Sequence, residues 1–179
     1  MYRDAALGHA HRKLVSSLGK RARNAFALTV FGLMLPIGWP VMAQDAAQAA
    51  GLAVWKTGGC FGCHGTFAEG GPGGDEPAGP SLRSTKLEGG DLVETIACGR
   101  PATEMPYHLI GAYTEIACWG LPLGEAPGAT HQGAQFTADE IKALVEYLLA
   151  RVVGKGDVTL EACAYYFGDP THISCRRYR

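Results

Sequence analysis

Residues 65–90 carry Gly70, Gly71, Pro72, Gly73, Gly74, Pro77, Gly79 and Pro80, a density that neither a helix interior nor a strand tolerates. A second irregular stretch, residues 101–136, is interrupted by Pro122 and Pro127. No run alternates polar and apolar residues well enough to predict a strand. The expected secondary structure is therefore a few helices joined by long loops. Loops of this length inside one compact domain need a ligand to order them. Composition agrees, because 25 of 179 residues are glycine and only 9% are aromatic, which leaves little side-chain volume for a core.

The helices flank these loops. Asp45 to about Gly58 reads as the first, with Asp45 as N-cap, Gln48 in the reciprocal capping position, and alanines, Leu52, Val54 and Trp55 supplying propensity and apolar surface. Asp91 to Cys98 is a short candidate. The strongest is the last: Thr137 and Glu140 form a capping box, and Ile141, Leu144, Val145, Leu148 and Leu149 recur on one face up to about Val152, before Gly154 and Gly156.

Ahead of the first helix, Arg12, Lys13, Lys20, Arg21 and Arg23 precede an apolar run from Ala25 to Ala43 that ends in Val41-Met42-Ala43. This reads as an export signal, residues 1–43, cleaved after Ala43. The competing reading is an uncleaved anchor giving membrane association through residues 25–43, which Pro36 and Pro40 weaken. The expected organisation is a domain over 44–152, one domain's worth of chain, and a C-terminal extension over 153–179. Beyond Ala43 there are ten basic against sixteen acidic residues, a net charge of −6. That balance argues against nucleic acid, which requires clustered positive charge, and permits docking to a basic protein face.

Cys60-Phe61-Gly62-Cys63-His64 supplies the ligand that the loops lack. Two thiols three positions apart can each add to a vinyl group of one porphyrin, and the adjacent imidazole can bind its iron, which is the covalent heme c signature. A redox-active CxxC pair or half of a zinc site are the alternatives. The first lacks a preceding strand and the second lacks another ligand pair at metal spacing. Past residue 43 the chain has one methionine, Met105, followed by Pro106, which favours an extended segment. Met105 is the expected sixth ligand and His108 the runner-up. His131 and His172 are weaker candidates.

In this order the motifs resemble those of the class I c-type cytochromes, over about Ala47 to Val152. The resemblance implies an all-α, cytochrome c-like fold of a few helices and long loops around one covalently bound heme c. It makes Gly51 and Trp55 the helix pair of the N-terminal segment and Ile141 to Leu149, with Tyr147, the terminal helix that crosses it. It makes Cys60, Cys63 and His64 the attachment site, with His64 and Met105 the metal ligands. In the segment Gly79-Pro80-Ser81-Leu82, it makes the Pro80 carbonyl the acceptor of the imidazole proton. Arg100, near Met105, is a candidate partner for a heme propionate, the alternative being a solvated arginine.

The implied function is single-electron transfer between redox proteins, with no catalytic residue and no enzymatic activity. The protein would act in the periplasm as a free carrier or as a subunit of a dehydrogenase or terminal-oxidase assembly. Its partners would be a dehydrogenase, a cytochrome complex or an oxidase. A peroxidase-like heme enzyme, with His108 beside an open iron position, or a heme sensor whose Met105 dissociates, are the other readings. Two features depart from the family. Cys98, Cys118, Cys163 and Cys175 are additional, allow three pairings, and are expected to pair locally as Cys98–Cys118 and Cys163–Cys175 in an oxidising compartment. The extension carries Tyr165, Tyr166 and Phe167 and then Arg176, Arg177 and Arg179. It reads either as a disulfide-tied strap or as a docking element.

Overall fold

A computed structural model of the chain describes residues 39–71 and 77–179, with side chains from Gln44 onward. The expected export segment lies outside the described residues, apart from the helical backbone at 39–43. Among the described residues, no helix is long and apolar enough to cross a membrane.

Helix α1 (Trp39–Thr57) begins ahead of Asp45, which is therefore not its N-cap. Six alanines between Ala43 and Ala53 carry the helix through that residue, because alanine propensity outweighs the mild cost of one aspartate. Helix α2 is the five-residue turn Cys60–His64, and α3 spans Gly89–Cys98. Helix α4 (Ala138–Arg151) starts on the expected capping box. The Thr137 hydroxyl accepts from the Glu140 N–H, and the Glu140 carboxylate accepts from the Thr137 N–H at 2.8 Å.

α1 and α4 cross at Gly51, whose missing side chain leaves room for the Ala143 carbonyl and for Tyr147 Cβ. Around that crossing, Val54 and Trp55 of α1 are buried with Ile141, Leu144, Val145 and Leu148 of α4 and Leu92 and Ile96 of α3.

The chain is not all-α. Strand β1 (Tyr107–Leu109) pairs in parallel with β2 (Gln132–Phe136), with Tyr107 opposite Gln132, Leu109 opposite Phe136 and an irregular register between. This sheet overturns the expected all-α, cytochrome c-like architecture. The strands leave little trace in the sequence because they have three and five residues, and β2, Gln132-Gly133-Ala134-Gln135-Phe136, has no β-branched residue and buries only Phe136. With so short a span, alternation has no room to show.

The C-terminal residues are also more regular than a strap. Helix α5 (Leu160–Phe167) is capped by the Thr159 hydroxyl, which accepts from the Ala162 N–H at 3.2 Å, and it ends at Gly168 in the left-handed conformation. A 3-10 helix follows over Ile173–Tyr178. Cys163 and Cys175, both fully buried, join the two as a disulfide. Phe67 packs edge-on against Tyr166, Phe167 and Tyr178, with ring centroids 5.4, 6.0 and 5.7 Å away. Lys56 Nζ donates to the Tyr166 carbonyl at 2.7 Å and also lies over the Tyr166 ring. The extension is thus fixed to the residues just before and just after the pentapeptide.

Candidate functional site

The pentapeptide forms one helical turn, so Cys60, Cys63 and His64 are held together by local backbone geometry. Gly59, at φ 68°, turns the chain from α1 into α2, and Gly65, at φ 81°, turns it out again. The segment that follows doubles back on itself. Gly70 N–H donates to the His64 carbonyl at 2.6 Å, Gly71 N–H to the Gly79 carbonyl at 3.1 Å, and Gly79 N–H to the Cys63 carbonyl at 2.8 Å. Gly71 and Gly79 form an antiparallel bridge. These bonds bring residues 79–80 beside the imidazole.

His64 Nδ1 lies 2.9 Å from the Pro80 carbonyl oxygen. A carbonyl only accepts, so Nδ1 carries the proton. Burial lowers the pKa of the imidazole, and the bond to Pro80 opposes that in part. His64, 8% exposed, is consequently neutral, and its Nε2 lone pair is available to a metal. Gly79 is required here for space: a Cβ would come within 2.8 Å of the Cys63 carbonyl oxygen and 2.9 Å of His64 Nδ1.

The environment of Cys60 argues against a redox-active pair. Burial pushes its thiol up to about 11, with its own backbone N–H opposing and Cys63 adding to the rise. Redox-active CxxC motifs need the opposite shift. The zinc alternative also lacks support, since among the described residues no group of three or more His, Cys, Asp or Glu comes together to hold a metal ion.

Met105 is half-buried in the extended segment that enters β1. Its loop is closed by Arg100 N–H to the Met105 carbonyl at 3.0 Å, by Met105 N–H to Thr103 Oγ1 at 3.2 Å, and by Thr103 Oγ1 to the Arg100 carbonyl at 2.7 Å. Gly99, at φ 67°, permits the closure, because a Cβ there would meet the Met105 carbonyl oxygen at 2.8 Å. The Cys98–Cys118 disulfide and the Tyr113 hydroxyl, which donates to the Cys98 carbonyl at 2.8 Å, brace the start of this loop. The Arg100 side chain is exposed.

His108 is 5% exposed and stacks on Phe136 with centroids 5.8 Å apart. Its Nδ1 lies 2.7 Å from the Ala134 carbonyl, and burial lowers its pKa. The same argument as at His64 leaves its Nε2 lone pair unprotonated. His131 is paired with Glu104 at 3.7 Å at the surface, and His172 stacks on Phe167 at 3.7 Å.

Whether these residues suit a covalent heme turns on three observations. Two thiols and a neutral buried imidazole share one helical turn. The imidazole is oriented by a backbone carbonyl, as metal-bound histidines are. Trp55, 1% exposed with its ring centroid 6.4 Å from that of His64, has a buried Nε1–H with no acceptor among the described residues. A buried donor of this kind calls for an acceptor beyond the described residues, a place that a bound group would fill. The donor set therefore fits the group.

Sequence reasoning missed one residue near the site, and the spatial role of another that it had named. Arg83 is buried, although an arginine three positions past Gly79-Pro80 reads as a solvated charge. The need for glycine at position 79 could have been inferred only if the turn back onto Cys63 had been known. The two disulfides suit an oxidising compartment. No family model, curated protein or solved structure matches the chain.

Proposed function

We propose that this protein is an exported c-type cytochrome that carries one covalently attached heme and passes single electrons between redox proteins in the periplasm. The name refers to the mode of attachment and not to the fold. The observation that carries the proposal is the neutral, buried His64, its Nδ1–H committed to Pro80 at 2.9 Å, on the same helical turn as Cys60 and Cys63.

In this reading, Cys60 and Cys63 would hold the porphyrin as thioethers, and His64 and Met105 would ligate its iron. The bound heme would supply a one-electron Fe(III)/Fe(II) couple, whose potential a thioether ligand raises. The Pro80 carbonyl fixes the His64 ring orientation and increases its basicity. The hydrogen bonds that close the loop over 99–105 would hold the Met105 backbone in place and so limit reorganisation on electron transfer. The heme edge near Cys60 and Cys63, framed by Gly62 and by Phe61, which is 42% exposed, would be the contact point for a partner. Dehydrogenases, cytochrome complexes and terminal oxidases are the partner classes, and no side chain acts as acid, base or nucleophile.

His108 supports a second reading of the iron's ligands, because its Nδ1 is held by the Ala134 carbonyl in the arrangement seen at His64. Expression in an exporting host that matures c-type cytochromes, followed by denaturing electrophoresis and heme staining, tests the attachment. Protein without covalently retained heme refutes the proposal, and a Cys60→Ala, Cys63→Ala double variant must lose the stain. For the sixth ligand, Met105→Ala is expected to abolish the thioether-to-ferric charge-transfer absorption with heme still attached. A native spectrum without that band, and a low-spin signature lost in His108→Gln, assigns His108 instead.

A further inference from the structure

The cavity of about 280 Å³ between the end of α4 and the start of α5 does not include Cys60, Cys63, His64 or Met105 in its wall. It is lined by Arg83, Arg151, Lys155 and Glu161, together with Tyr147 and Thr159. Arg83 is 5% exposed. Among the described residues, its guanidinium donates to backbone carbonyls: to Gly156 through Nε, to Phe67 at 3.3 Å through Nη1 and to Asp157 at 3.0 Å through Nη2. Among the described residues, no carboxylate lies within ion-pair distance of it.

A buried cation without a counter-charge is costly, and carbonyl dipoles offset that cost only in part. The one carboxylate in the wall, Glu161, is already paired with Arg151 at 3.4 Å. Among the described residues, neither Arg83 nor the exposed Lys155, both on this cavity, has an ion-pair partner. Thr159 and Glu161 belong to the N-terminal turn of α5, which adds the positive end of a helix dipole.

From this arrangement we infer that the cavity binds a small inorganic oxyanion, of the phosphate or sulfate class. Arg83 and Lys155 neutralise the anion. Bound there, it joins α4 of the main domain to the linker and α5 of the extension by a charge-assisted contact.

The test is isothermal titration of the full holoprotein with inorganic phosphate and, separately, with sulfate, chloride being adjusted to hold ionic strength constant. Saturable binding at one site is expected for wild type. Lys155→Gln, at an exposed position that leaves the Arg83 carbonyl bonds in place, is expected to weaken the apparent affinity by about tenfold. Its heme spectrum should be unchanged, which separates this result from any failure at the attachment site. Absence of saturable binding of either anion to wild type overturns the inference, and so does binding that Lys155→Gln leaves intact.

Discussion

Gly79→Ala is the sharpest probe of the His64–Pro80 contact. Gly79 lies outside the left-handed region of φ, so alanine meets no backbone penalty there and acts only through the space it needs. Its Cβ would sit 2.8 Å from the Cys63 carbonyl oxygen and 2.9 Å from His64 Nδ1. Ordinary contact distances begin near 3.5 Å, so the 79–80 segment must retreat by roughly 0.5 Å or more. Overpacking of this kind costs about 1–3 kcal/mol. The retreat also stretches the 2.9 Å bond from His64 Nδ1 to Pro80, and losing a hydrogen bond to a buried group costs about another 1–3 kcal/mol. The expected destabilisation is therefore about 2–6 kcal/mol. With a guanidinium m-value of about 4 kcal/mol/M, it lowers the unfolding midpoint by roughly 0.5–1.5 M. Gly90→Ala is the control: its Cβ meets nothing within 4 Å and lies in α3, so it should be neutral or stabilise by about 0.5–1 kcal/mol. Equal midpoints for the two variants would refute the close-approach argument.

Replacing Cys98 and Cys118 by alanine opens a closure with a sequence separation of 20 and should cost about 3 kcal/mol on the chain-entropy estimate, read as a lowered denaturation midpoint. His108 has a folded-state pKa below its ordinary 6.5, so it contributes stability that is present above pH 6.5 and is lost as pH falls toward the lowered value. A pH series of denaturation midpoints should show this loss in wild type and a smaller one in His108→Gln; identical profiles would remove His108 as the cause. Phe67→Ala removes the ring shared by Tyr166, Phe167 and Tyr178 and should cost about 3–5 kcal/mol, with faster proteolysis of residues 153–179. Unchanged proteolysis would mean that the extension is held elsewhere.

The parts legible in the sequence were those with a local chemical signature. Thr137 and Glu140 announce the start of α4 because a capping box is complete within four residues. Cys98–Cys118 and Cys163–Cys175 follow from favouring short closures. The Pro80 contact came from the family resemblance, and the distance of 2.9 Å agrees with it. Features decided by tertiary packing were not legible. β1 and β2 exist because residues 107–109 and 132–136 meet, and neither segment has strand character alone. Arg83 is buried because the linker at Gly156 and Asp157 folds over it. Helix α5 does carry local signals, Thr159 at its start and Gly168 at its end, but eight residues between them are too few for a helical period to stand out.

The crossing at Gly51 joins residues more than ninety positions apart, since its neighbours are Ala143 and Tyr147. A contact of that separation must close a long loop before it can form. A nascent polypeptide that stops short of α4 lacks Ile141, Leu144, Val145 and Leu148, which bury Val54 and Trp55 in the folded protein, so the α1 face ahead of the two thiols stays incompletely covered. Thiol chemistry on a chain emerging N-terminus first would therefore meet the pentapeptide before the fold can shield it.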